Sequence, residues 1–152
     1  MSEVELTQQS PRHFVGIRRK VHTSDLPGFF AEVLPKVMNW MQEQNIAPAS
    51  APMAMWCAMD MESGIADTHA GCFVENEVEG AGEITPGVTS GGDVLRLIHR
   101  GGYGTVGQSW GRVYEHAKAL GRRPGAGWEI YIDDPGEVEA DDLRTEIYLP
   151  VG

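Results

Sequence analysis

The chain of 152 residues has no apolar run approaching the roughly 20 residues needed to cross a bilayer, so no membrane-spanning helix is expected. Its start, MSEVELTQQS, lacks a basic segment followed by an apolar one, so no secretory leader is expected either. Cysteine is scarce: Cys57 and Cys72 are the two in the chain, read as reduced thiols of a cytoplasmic protein. Positive charge is also short, with 12 Lys and Arg against 22 Asp and Glu and a net charge of −10. Affinity for nucleic acid comes largely from cations neutralising phosphates, so this balance argues against direct nucleic-acid binding. Acidity of this size ordinarily serves solubility. A carboxylate that faces a cationic ligand has to be argued from its own position. Metal-ligand spacing is missing as well: His69-x-x-Cys72 with Cys57 lacks a clear fourth ligand, so neither metal nor cofactor is expected. The two thiols are read as core residues, since no histidine is placed beside them as a base.

What is present is a repeated order of elements. The length fits a single domain over 1–152, and a hydrophobic fraction of 41% fits a packed one. Alternation predicts strands at 4–9 and 12–22, joined at Ser10-Pro11. Ser24 or Asp25 can cap a helix with Pro27 in its first turn. Phe30, Val33, Leu34, Val37, Trp40 and Met41 then recur at helical spacing to about Gln44, with Pro35 expected to kink the helix or delay its start. Strands are expected near 53–60 and 69–78. The second half repeats the plan, with a strand at 93–100, a helix at about 103–120 and strands at 127–133 and 144–151. Tyr103, Val106, Trp110, Val113, Ala117 and Leu120 form the expected buried stripe of that helix. The expected architecture is therefore α+β: two pseudo-symmetric strand–helix–strand–strand units (about 12–78 and 93–151) with antiparallel sheets. A Gly-rich linker at about 79–92 joins them, and a ligand cleft is expected between them. Trp56 and Trp128 fall at similar places in the two halves.

Two strands carry the chemistry. Side chains alternate along a strand, so both read Glu-x-Tyr on one side and apolar on the other: Glu129 and Tyr131 in the first, Glu146 and Tyr148 in the second. With both apolar sides packed on the helix, the two pairs would lie together on the opposite face. Such a face is either a solvated surface or a pocket wall, with rings for stacking and carboxylates for a buried positive charge. Gly102-Tyr103-Gly104-Thr105-Val106-Gly107 spells a dinucleotide-binding fingerprint. The strand before it carries Arg96, His99 and Arg100, however, and too little chain follows for a parallel sheet, so the glycines are read as a close turn and a helix–sheet contact. The methionines Met38, Met41, Met53, Met55, Met59 and Met61 read as adaptable core, or as a soft wall for apolar ligands.

The run His99-Arg100-Gly101-Gly102-Tyr103 before a helix with Trp110, then Trp128-Glu129-Ile130-Tyr131, Asp134-Pro135 and Thr145-Glu146-Ile147-Tyr148-Leu149-Pro150-Val151, resembles the GyrI-like small-molecule-binding domain. This is the effector-binding module of several multidrug-responsive transcription activators. The resemblance covers nearly the whole chain and is most specific over its last 60 residues. It implies a cleft for lipophilic, cationic or aromatic compounds, with Glu129 as its central acid, Glu146 and Tyr148 beside it, and Tyr131, Trp110 and Tyr103 as rings. In the first half, Trp56 and Phe73 are the candidates. The transcriptional members also carry a helix-turn-helix domain, for which this chain has no room, so a stand-alone form is expected. Two further readings follow from the resemblance. One is a hydrolase of cyclopropane-bearing DNA-alkylating toxins, with Glu129 or Glu146 as general base. The other is an acidic factor that engages gyrase or another protein partner, ranked below the first two because the acids are scattered.

Overall fold

The computed structural model describes residues 3–152, so Met1 and Ser2 of the stretch read for a leader lie outside the described residues. The elements run β1 (Glu5–Gln9), β2 (His13–His22), α1 (Leu26–Glu43), β3 (Pro52–Asp60), β4 (Ile65–Val74), β5 (Ile84–Val88), β6 (Gly92–Arg100), α2 (Val106–Ala119), β7 (Trp128–Tyr131) and β8 (Arg144–Pro150). The fold is α+β. It divides into two compact units, one of Pro11–Thr89 and one of Ser90–Gly152 joined by the N-terminal strand. The first unit has its strands hydrogen-bonded in the order β3-β4-β2-β5, the second in the order β1-β6-β8-β7, and the pairs within each are antiparallel. Each unit is thus a strand–helix–strand–strand repeat with one added edge strand. Among the described residues, no helix is long and apolar enough to cross a membrane.

The edge strands depart from expectation. β1 does not form a hairpin with β2; it pairs with β6, Leu6 opposite Leu95. Both edges of β2 are already taken, one by β4 and the other by β5. β5 lies inside the stretch read as a linker, with Ile84 opposite Ile17. Its Gly87 makes this possible: a Cβ there would stand 2.4 Å from the Phe14 ring, so the bare glycine is what lets that ring lie over the strand.

Short 3-10 turns at Thr23–Asp25 and Tyr103–Thr105 open the two helices. Asp25 stands at the N-cap of α1 without a side-chain cap bond, and the helix continues through Pro35 to Glu43 instead of starting late. Its buried residues are Phe29, Val33, Val37 and Met41, so Phe29 and not Phe30 begins the stripe. In α2 the buried residues are Ser109, Val113 and Ala117. Tyr103 and Leu120, placed in that stripe from the sequence, are exposed.

The two turns set the equivalence of the repeats. The row Ile17, Ala70, Ala54 across β2, β4 and β3 corresponds to Leu97, Ile147, Glu129 across β6, β8 and β7. One step on, Arg19, Thr68, Trp56 corresponds to His99, Thr145, Tyr131. Trp56 is therefore the counterpart of Tyr131, not of Trp128. The repeats fill their cores by opposite means. Large helix side chains meet Ala54, Ala66 and Ala70 in the first unit, whereas a slim helix meets Leu95, Leu97, Ile147 and Leu149 in the second. Each large aliphatic or aromatic side chain so buried contributes roughly 1.5–3 kcal/mol.

Gly87→Ala is expected to lower stability by about 1–3 kcal/mol, because the buried Phe14 ring has to move. Gly28→Ala, where nothing stands within 4 Å of the added carbon, should instead gain up to about 1 kcal/mol of helix propensity. Urea unfolding of the two variants checks both signs.

Candidate functional site

The register of β7 on β8 decides where the acids point. Glu129 stands opposite Ile147 and Tyr131 opposite Thr145, while Trp128 stands opposite Tyr148 and Ile130 opposite Glu146. Residues directly opposite in an antiparallel pair share a face. Glu129 and Tyr131 therefore lie on the face that carries Leu97, Ile147 and Leu149, the face packed against α2. Glu146 and Tyr148 lie on the other. The expectation that the two Glu-x-Tyr pairs share one face is wrong, and the reason is β7: its apolar side, Trp128 and Ile130, turns away from α2 and is buried there.

Glu129 is 2% exposed. Its Oε1 accepts from the Trp110 indole Nε1–H at 3.2 Å, and its Oε2 from the Tyr131 hydroxyl at 3.3 Å. Tyr103 meets Tyr131 edge to face, ring centroids 5.7 Å apart, and remains 42% exposed. One acid and three aromatic rings thus come together. Burial, followed by the charge and hydrogen bond of Glu129, pushes the Tyr131 phenol well above its ordinary range. Tyr103 is raised by burial and then by Asp134, Glu129 and Asp133.

On the opposite face, Glu146 accepts from the Arg96 guanidinium and, at 2.8 Å, from the Tyr148 hydroxyl. Arg96 Nε also donates to that hydroxyl at 3.2 Å, and Trp128 stacks on the Tyr148 ring at 5.4 Å. Burial opposes the Arg96 charge, but the hydrogen bonds of Tyr148 and Glu146 more than offset it and its pKa is raised.

In the first unit Trp56 lies on the α1 face, edge to face with Phe30 at 6.4 Å. Phe73 lies on the other face, fully buried beside Phe14 and under the Arg12 guanidinium at 4.0 Å. The structure therefore separates these two candidates. His69 bonds the Gly16 and Thr85 carbonyls, on the face opposite Cys72, and its pKa is lowered chiefly by burial.

Three participants were missed. A Cβ on Gly127 would stand 2.6 Å from the Trp110 ring, so that glycine is what allows the indole to close over the start of β7. His99 ties the turn that bears Tyr103 to α2, through Ser109 Oγ at 2.7 Å and Thr105 Oγ1 at 3.1 Å. Thr145, fully buried opposite Tyr131, has a hydroxyl without a hydrogen-bond partner among the described residues. A glycine immediately before an aromatic-acid strand was the one available signal. Gly104 and Gly107 have open space around them, so the helix–sheet contact expected of the glycine-rich turn is not their role.

Two β-α-β-β repeats, one of them holding an acid among aromatic rings, define a two-repeat α+β module. Residues 2–152 match the family model of the GyrI-like small molecule binding domain, and the chain belongs to that family. No curated protein matches it. Among solved structures, the C-terminal domain of EcmrR is similar with a TM-score of 0.79 and 16% identity, over 100% of this chain and 98% of that one. In the EcmrR–DNA complex the likeness has a TM-score of 0.84 and 16% identity, over 99% of this chain and 57% of that one, so this chain spans little more than half of EcmrR. SAV2435, bound to tetraphenylphosphonium, is similar with a TM-score of 0.69 and 15% identity, over 99% and 94%. A hydrolase encoded by lin2189 of Listeria innocua is similar with a TM-score of 0.64 and 11% identity, over 99% and 92%. At such identities the likeness shows the fold.

All four tyrosines, Tyr103, Tyr114, Tyr131 and Tyr148, are held above the ordinary phenol value, burial being the first cause in each. The folded state thus keeps protons that the unfolded chain releases. The contribution is complete below about pH 10 and is lost as pH rises through the folded values. An ultraviolet phenolate titration should therefore show every tyrosine of the folded protein titrating with a midpoint above about pH 10. Gly127→Ala should shift tryptophan emission to the red and cost about 1–3 kcal/mol, as the Trp110 ring is displaced from Glu129.

Proposed function

We propose that the protein binds lipophilic aromatic cations at Glu129, with Trp110, Tyr131 and Tyr103 as the rings they meet. The observation that carries this reading is a buried carboxylate bonded by the polar edges of aromatic rings. The indole N–H and the phenol O–H are neutral donors, so these two bonds orient the carboxylate without themselves bringing a positive charge to it. Each oxygen already accepts a hydrogen bond. A quaternary cation needs charge and ring contact and no hydrogen bond, and a carboxylate among aromatic rings offers that surface. The tetraphenylphosphonium in the similarly folded SAV2435 supports this class of ligand. Trp56, in the equivalent row of the first repeat, is that unit's candidate ring. Glu146 and Tyr148 act as anchors of the sheet through Arg96 and Trp128, not as ligand groups.

Hydrolysis is the second reading, supported by the fold shared with the Listeria hydrolase. Here Glu129 alone would activate water, because the Glu146 carboxylate is held by Arg96 on the other face. Turnover of a cyclopropane-bearing electrophile well beyond one equivalent, abolished by Glu129→Gln and not by Glu146→Gln, would establish it.

Titration calorimetry with tetraphenylphosphonium and its anionic twin tetraphenylborate tests the first reading. The wild type should prefer the cation, and Glu129→Gln should weaken the cation by about tenfold to a hundredfold while sparing or strengthening the anion. Equal losses for both ions would overturn it.

A further inference from the structure

Tyr114 stands one helical turn beyond Trp110 on α2, and its ring lies 5.9 Å from that indole at an interplanar angle of 34°. The α2 core is made by Ser109, Val113 and Ala117, and Tyr114 stays 47% exposed beside them. Its hydroxyl makes no hydrogen bond among the described residues. A pair at i and i+4 ordinarily stabilises a helix by a small amount and needs no further role. Two observations point beyond that. Trp110 is the ring that bonds Glu129, so its neighbour on the outer side prolongs the aromatic surface that begins at the carboxylate. In the first repeat, where Ala54 replaces the acid, Phe30 stands for Trp110 and the aliphatic Leu34 for Tyr114. The second ring thus belongs to the repeat that carries the charge.

We propose that Tyr114 is a specificity-determining residue that extends the Glu129–Trp110 surface and selects cations bearing several rings over compact ones. This rests on the reading of Glu129 as a cation site. A ligand whose positive centre lies near Glu129 and whose body is compact meets Trp110, Tyr131 and Tyr103. One with further rings also reaches Tyr114, where ring contact adds affinity without adding charge.

The experiment compares tetraphenylphosphonium with tetraethylphosphonium in the wild type, Tyr114→Ala, Tyr114→Leu and Tyr114→Phe. Tyr114→Ala should lose about fivefold to tenfold for the tetraphenyl ion and less than about twofold for the tetraethyl ion. Tyr114→Phe should keep the preference. Tyr114→Leu, which preserves bulk on the helix, should lose it and decides the matter if the alanine variant is poorly folded. Unchanged affinities in Tyr114→Leu, or equal losses for both ions, would overturn the role of Tyr114 while leaving the site intact. A wild type that binds neither ion, or binds both as well after Glu129→Gln, would instead overturn the cation site and this inference with it.

Discussion

The pairing of Glu129 with Ile147 puts a carboxylate on the side of the sheet that α2 otherwise fills with aliphatic groups. Burying such a group without hydrogen bonds costs several kcal/mol or more. Its surroundings can be derived from that demand. Trp110, on the flank of α2 toward β7, turns its indole N–H to one oxygen, and Tyr131, two residues along the strand, turns its hydroxyl to the other. Gly127 has to be bare for the indole to lie where it does, and His99 holds the turn from which Tyr103 covers Tyr131.

Alternation and helical spacing made the order of elements legible, and most strands fall within a few residues of where the pattern put them. The grouping of Glu129 with Trp110, Tyr131 and Tyr103 was expected from the family resemblance, and these side chains are in contact. The faces were not legible. Sorting them by apolar side chains assumes that one face of a strand is buried, but Trp128, Glu129 and Ile130 of β7 are all buried, so alternation does not say which side meets the helix. Only the register settles that, and register is a long-range property set by β8. The same holds for β1 and β5. A strand's pattern predicts that it will pair, while its partner depends on which edges are left open.

The weak likeness between the repeats has a physical account. The two repeats distribute their buried side chains between helix and sheet in different ways. Phe29, Val33, Val37 and Met41 meet a side of the sheet with Ala54, Ala66 and Ala70 beside Val15 and Ile17 in one unit, and Ser109, Val113 and Ala117 face leucines and isoleucine in the other. Cores tolerate such exchanges as long as volume and pattern are preserved. Position-by-position identity is erased while the backbone plan survives. The repeats differ in chemistry as well. In the row of Ile147, β7 holds Glu129, and the equivalent place in the first unit holds Ala54.

The two Glu-x-Tyr pairs show how little a local motif fixes by itself. In both, the tyrosine donates to the glutamate two residues before it. What differs is the neighbour supplied by another element. Arg96 on β6 brings a positive charge to Glu146, and with Tyr148 and Trp128 it forms a partly exposed cluster whose charges cancel. Such a cluster has little left with which to attract an ion, and its worth is in fixing β6, β8 and β7 to one another. At Glu129 the bonds from Trp110 and Tyr131 bring no charge with them. A carboxylate answered by a guanidinium is a fastening, whereas the two ring-edge bonds at Glu129 set it beside the kind of surface a large organic cation prefers, which is why we propose that site. The difference in role that we propose for two identical patterns therefore rests on their cross-strand and helix partners.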